Sequence, residues 1–359
     1  MDAATRYDGD GVLSVRQEYI RWRINRARYI PEREADRLSL TNSATGGHPD
    51  YDVAEDVDLP NDFGSTTNEW AAWARAMQPL APNALLSLSA DRHVDDMVRE
   101  DAFQHATPSG SPYYTVGDNS VTRAAVEGYV NGLTGYLENL ALGYQISGSS
   151  FPSFGRSADS VHDGLFVDAS ASSRGHRKAI LNFNAREIGF GHELVQEYNR
   201  IGSNWYWTSD WDAQAFGLQG TNAFFTGTIF EDLDGNYAYD FGEGRGGVDV
   251  RLWGDDGEFY YYDVSGASGS FAVPLNSVED GDRVSVELVN GSGSNLVLAL
   301  PSGFVSLGDV ELGVTQRLVI GWFTDPVGVR NVGFRDLVYQ PLVANPVVTG
   351  GLVRVSVGG

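Results

Sequence analysis

At Gly217 the hydrophobic rhythm of this 359-residue chain changes, and no other feature limits its possible folds as much. Before that point apolar residues recur at spacings of three and four, as in Ile20, Ile24 and Ala27 or Val94, Met97 and Val98. That is the period of a helix with one buried face. After it, short runs alternate apolar and polar residues and end in Asp-Gly or Ser-Gly turns, the pattern of strands. Runs at 224–230, 248–253, 258–264, 269–275 and 283–289 read this way, and 296–322 supply further candidates. The chain is therefore expected to be α+β, and its length exceeds what one hydrophobic core usually fills, so two domains are expected with a boundary near Gly217.

Within the first region, the helical pattern of residues 12–40 is interrupted at Pro31. Residues 41–65, rich in Asp, Gly, Asn and Pro, read as a long surface loop, and 67–77 carry Trp70, Trp73, Ala74 and Met77 at helical spacing. Further helices are expected from an entry at Ser89–Asp91 to about Phe103, over 121–129 with Arg123 and Glu127, and over 157–166. Residues 187–191 alternate as a half-buried strand does, and Trp205, Trp207 and Trp211 share one face of another.

Charge and composition exclude several functions. Forty-eight acidic residues against 25 basic ones leave a net charge of −23, which disfavours nucleic acid and anionic membranes and favours cations. The absence of cysteine removes disulfides, thiolate metal sites and a cysteine nucleophile. There is no apolar run of about 18 residues to span a bilayer, and the acidic start lacks a signal core, so a signal sequence is expected to be absent or already removed.

Three dispersed residues carry the chemistry of the first region: His105, Glu138 and His176, with His162 as a fourth candidate. Imidazoles and a carboxylate that converge can hold a divalent ion such as zinc, or pass a proton. Their separations match no local ligand motif. Leu137 and Leu140 flank Glu138-Asn139, placing that carboxylate at the edge of a core, where it needs a partner.

Several short motifs occur in a telling order: Ile24-Asn-Arg-Ala-Arg28, Asp96-Met97, Phe103-Gln-His105, Gly128-Tyr129, Glu138-Asn139, Gly175-His-Arg177 with Ile180-Leu-Asn182, Ile188-Gly-Phe-Gly191 and Tyr206-Trp-Thr208. In that order they resemble bacterial members of the CAP superfamily, named for cysteine-rich secretory proteins, antigen 5 and pathogenesis-related proteins. The resemblance implies an α-β-α sandwich over residues 12–217, with a cleft lined by His105, His176 and Glu138 that holds a divalent metal in some relatives. The family's second glutamate has no clear match, and His162 or Asp168 lies in its region.

In the second region, Asp232, Asp234, Asn236, Asp240 and Glu243 fall at positions 1, 3, 5, 9 and 12 of a loop, with the Ala238 carbonyl at position 7. That is the ligand spacing of a calcium loop. Carboxylates about 5 Å apart at an effective dielectric of about 20 repel by roughly 3 kcal/mol per pair without a cation. Strands flank the loop, and together with Gly247-Val-Asp-Val-Arg-Leu252 it resembles the B-type repeat of bacterial serine-aspartate surface proteins. That resemblance, over about residues 224–312, implies a calcium-stiffened, prealbumin-like antiparallel β-sandwich used as a spacer. The sandwich is expected over 223–322, and residues 323–359, which alternate but contain Pro326, Pro341 and Pro346, read as a β-like tail or linker. Gly242-Glu-Gly-Arg-Gly-Gly247 matches a dinucleotide fingerprint in letters only, because it precedes a strand instead of a helix.

These readings lead to an extracellular or cell-surface bacterial protein whose cleft takes a metal, a lipid or a peptide. A metal-dependent hydrolase of peptidase type and a purely architectural segment are the alternatives.

Overall fold

The computed structural model describes residues 5–6, 11–29, 34, 37–39, 79–135, 137–169, 175–182, 184–200, 204–220, 224–233, 239–254, 259–274, 283–290, 304–309, 316–324, 330–334 and 353–354. The expected loop at 41–65, the helix at 67–77 and most of the tail lie outside them. In chain order the elements are β1 (Thr5–Arg6), α1 (Val15–Tyr29), β2 (Ala81–Pro82), α2 (Ala84–Arg99), α3 (Ser120–Val126), β3 (Glu138–Ser147), α4 (Ala158–Val167), α5 (Gly175–Ile180), β4 (Glu187–Tyr198) and β5 (Tyr206–Gly217). Then come β6 (Phe224–Asp232), β7 (Val248–Gly254), β8 (Phe259–Val264), β9 (Ser270–Pro274), β10 (Arg283–Asn290), β11 (Phe304–Asp309), β12 (Gln316–Thr324), β13 (Arg330–Phe334) and β14 (Val353–Arg354). Among the described residues no helix is long and apolar enough to cross a membrane.

Two compact units result. Met1–Tyr29, Gln78–Pro82 and Thr221–Gly359 form one, and Ile30–Met77 with Asn83–Gly220 form the other. One edge of the division falls between Gly220 and Thr221 and another at Tyr29, because α1 finds its partners among the strands of the β-rich unit. There Arg21 is buried and its guanidinium donates to Glu18 at 2.6 and 2.7 Å, to the Leu80 carbonyl at 3.0 Å and to the Gly227 carbonyl at 2.8 Å. The Thr228 hydroxyl adds a further bond to Glu18. Burial raises the Glu18 pKa, against the pull of Arg21 and Thr228. Tyr19 and Trp22 pack on Tyr239, with ring centroids 6.2 and 6.4 Å away.

All five strands expected between 224 and 289 form. They belong to two sheets, ordered β1-β8-β7-β10-β11-β14 and β13-β12-β6-β9. The expectation of a purely antiparallel arrangement is corrected by three parallel pairings, β6 with β12, β1 with β8 and β11 with β14. Parallel neighbours need a long connection, and each of these pairs is far apart in sequence.

The other unit is built on an antiparallel sheet in which β5 lies between β4 and β3. Helix α2 starts at Ala84, earlier than the expected Ser89, because the Asn83 side chain accepts from the amides of Leu85 and Leu86 at 2.9 and 3.1 Å. Its Leu86, Ala90, Val94 and Met97 form one core with Trp211, Ala213 and Ala215 of β5 and Leu140 of β3. The helix backbone lies directly on β4. A Cβ on Gly189 would sit 2.2 Å from the Leu86 carbonyl carbon, and one on Gly191 would sit 2.4 Å from the Ala90 carbonyl oxygen. Residues 187–191 are thus wholly buried, not half-buried: their small residues mark helix contact where alternation suggested solvent. Trp205 falls outside β5 and is exposed, whereas Trp207 and Trp211 share a face as expected and both lie under the Arg200 guanidinium.

Candidate functional site

The site begins where β3 begins. Glu138 pairs with Ala215 and Asn139 with Gln214 across the sheet, and successive strand residues face opposite sides. On the side covered by α2 and α3, the Glu138 Oε2 lies 3.0 Å from His105 Nδ1, and its Oε1 accepts from Arg123. The same Arg123 donates to the carbonyls of His105 at 2.9 Å and Asp118 at 2.8 Å. One buried arginine thereby fixes both the carboxylate and the loop that carries the histidine. Burial alone pushes the Glu138 pKa upward, but the His105 bond and the charge and hydrogen bond of Arg123 lead the effects that outweigh it and hold the group below its ordinary value.

Behind this pair stands His93 of α2, fully buried, with Nε2 3.0 Å from the Gln104 carbonyl and 4.0 Å from Glu138 Oε2. Burial lowers its pKa to about 4, so it is neutral at neutral pH. A carbonyl only accepts, so the Nε2 nitrogen carries the proton. Its Nδ1 is buried and has no hydrogen-bond partner among the described residues.

On the other side of the sheet, the Asn139 amide donates to the His176 carbonyl and to Gln214 Oε1, both at 3.1 Å. His176 opens α5. Its Nδ1 is 2.8 Å from Asp168 Oδ1, and its backbone N–H donates to Oδ2 at 2.9 Å. Asp168 occupies the position just after α4 in a left-handed conformation, φ 49°, which turns its carboxylate back onto α5. Asp and Asn tolerate that conformation better than most residues.

Two histidines are therefore built alike. Each sets Nδ1 against a buried carboxylate, and neither Nε2 has a hydrogen-bond partner among the described residues. His105 is 59% exposed and His176 27%, against 5% and 1% for Glu138 and Asp168. A carboxylate that receives Nδ1–H leaves the Nε2 lone pair open, which suits a metal ligand or a proton acceptor.

His162 is not brought to this pair. It is buried, its Nε2 lies 3.0 Å from Glu34 Oε1, and its ring packs on Phe166. Among the described residues, two groups offer three ligand atoms within 4.8 Å of one another: Glu34, His162 and Asp163, and His192, Asp210 and Asp212. Each already holds an arginine, Arg37 on Glu34 and Asp163 and Arg156 on Asp212. Both groups thus contain ion pairs, while His162 Nδ1 has no hydrogen-bond partner among the described residues.

In the β-rich unit, Glu243 is buried and accepts from the amides of Leu233 and Asp240, each at 2.8 Å, which ties together the two ends of the acidic loop. The Asp232 side chain and residues Asp234, Asn236 and Ala238 lie outside the described residues. Residues 242–247 turn into β7 without entering a helix.

Residues 23–211, more than half of the chain, match the model of the Cysteine-rich secretory protein family. The chain belongs to the CAP family. A comparison with curated proteins finds no match. This CAP protein has no cysteine, and its domain rests on glycine-mediated helix packing and buried ion pairs. The match opens inside α1 and ends inside β5, so it spans both histidine pairs. Sequence reasoning placed His105, Glu138 and His176 among the candidates but gave Arg123 and His93 no role. Asp168 stood only as a substitute for a missing glutamate. Eight residues separate it from His176, a spacing without a local motif, and only the left-handed turn after α4 joins them.

Proposed function

We propose that this CAP protein takes a divalent cation such as zinc, or the polar end of a lipid or peptide ligand, on the Nε2 atoms of His105 and His176. The observation that supports this is the shared construction of the two imidazoles, each backed at Nδ1 by a buried carboxylate. Such backing orients a ligating histidine and raises its basicity. Imidazole nitrogens are the donor type a borderline metal takes, although among the described residues His105 and His176 belong to neither group whose ligand atoms lie within 4.8 Å of one another, so a shared ion requires the two rings to close on it. Glu138 is committed to His105 and Arg123 through separate oxygens, so in this reading it works from behind His105, as Asp168 does behind His176. A bound cation would supply Lewis acidity; the protein supplies orientation and a pair of proton acceptors.

The same open Nε2 atoms favour a second reading, hydrolysis of a peptide-like substrate with a histidine accepting the proton of water. The β-rich unit serves in this proposal as a calcium-stabilised sandwich spacer at the cell surface or outside the cell. Elemental analysis and zinc titration of the wild type beside His105→Ala/His176→Ala test the cleft. Loss of zinc in the double variant with the fold intact supports the proposal, and unchanged binding overturns it. Turnover of peptide, ester or glycan libraries that disappears in His176→Ala would favour the hydrolytic reading.

A further inference from the structure

We infer that His93 is a positioning residue for the cleft: its Nε2–H holds the Gln104 carbonyl and thereby sets where His105 meets Glu138. The inference deepens the proposed function and rests on His105 being part of the ligand site.

His93 lies on α2, whose backbone is pressed onto β4 through Gly189 and Gly191, so its ring starts from one of the most firmly seated elements of the unit. The next described contact outward is the Gln104 carbonyl at 3.0 Å, one peptide before His105. His105 is 59% exposed at its side chain, and packing alone does not hold a ring so open to solvent. Three bonds do: His93 on the Gln104 carbonyl, Arg123 on the His105 carbonyl and Glu138 on Nδ1. The first two act on consecutive peptide groups and come from different helices, which fixes the direction of the chain at His105 as well as its position.

A packing role alone does not explain an imidazole here. Its Nδ1 is buried and has no hydrogen-bond partner among the described residues, an omission that destabilises a core by about 1–3 kcal/mol. An apolar side chain of similar volume would avoid that cost. The Nε2–H bond and the 4.0 Å approach to Glu138 Oε2 are what only a polar ring provides. A ligating group displaced by about 1 Å loses much of its effect, so a residue that acts only on the chain before His105 still governs the site.

The test uses the full-length protein, His93→Gln, which can keep a donor near the Nε2 position, and His93→Met, which keeps volume and removes the donor. Ring ¹⁵N spectra report the tautomer of His93 and the environment of His105, and zinc titration reports affinity. The expected results are an Nε2–H tautomer for His93 in the wild type, His105 ring shifts that change in the Met variant and persist in the Gln variant, and zinc affinity about 10–100-fold weaker in the Met variant only. A wild-type His93 protonated at Nδ1 overturns the inference, as do unchanged His105 shifts in a folded Met variant. Should the Met variant fail to fold, the wild-type tautomer and the Gln variant decide, and a Gln variant with displaced His105 shifts counts against it. Should the wild type bind no zinc, the metal reading of the cleft fails by itself, and the His105 shifts still decide the role of His93.

Discussion

Glu138 and Asn139 are adjacent in sequence and work on opposite sides of the sheet, the first bonded to His105 and Arg123, the second to the His176 carbonyl. Replacing Glu138 by Gln leaves the buried Arg123 charge without its counterion. Breaking a buried pair on one side costs about 3–5 kcal/mol. Thermal unfolding of Glu138→Gln is expected to show a midpoint lower by roughly 10 °C, and a midpoint equal to the wild type would refute the assigned pairing.

Asp168→Asn leaves a residue that tolerates the left-handed conformation and can still accept from the His176 amide. It removes the charge behind Nδ1. Zinc affinity is expected to fall about 10–100-fold with little change in stability, measured by competition titration together with a thermal melt.

Acid should weaken the fold in a window set by His93. Burial holds its pKa near about 4 against an ordinary 6.5, so the folded state binds that proton less readily than the unfolded chain. The stabilisation is complete above pH 6.5 and is lost as pH falls toward about 4, reaching about 3 kcal/mol. The Glu138 contribution, from a depressed pKa, declines only below its ordinary value of 4.5. Buried carboxylates with raised pKa values, such as Glu18 and Glu187, act with the opposite sign in the same range, so the histidine is read as the difference between wild-type and His93→Gln urea titrations from pH 7.5 to 4.5, with the variant losing less stability toward acid.

Gly189→Ala and Gly191→Ala each force a methyl group into the backbone of α2. The expected cost is about 1–3 kcal/mol or more. Denaturant unfolding measures it, and the near-ultraviolet signal of Trp211, which shares the α2 core, should weaken in parallel.

Calcium should raise the unfolding midpoint of the wild type, and Glu243→Ala should abolish that response. Glu243 also closes the loop through two backbone amides, so the variant is expected to be less stable even without the ion. Scanning calorimetry with calcium and with a chelator separates the two effects.

Repetition made much of this fold legible in the sequence. Ile24 and Ala27, or Val94 and Met97, announce helices because a buried face must recur every turn, and the alternation at 224–289 announces strands for the same reason. Partnership across the chain has no such signature. Asp168 meets His176 through one left-handed residue, Arg123 reaches Glu138 through a loop, and both depend on angles that no spacing records. The run at 187–191 alternates like a half-exposed strand yet is buried, because glycine under a helix and a small residue facing water look identical in sequence.

The bond from Arg21 to the Gly227 carbonyl spans 206 residues. During synthesis α1 leaves the ribosome ahead of the histidine-bearing unit, yet the strand that accepts its buried arginine is made only after that entire unit has emerged. Until then the Arg21–Glu18 pair stays in water and the helix has no sheet to rest on. The unit that holds α1 is thus completed only after the histidine-bearing unit has been made, and a fragment ending at residue 217 would lack the strand that accepts Arg21.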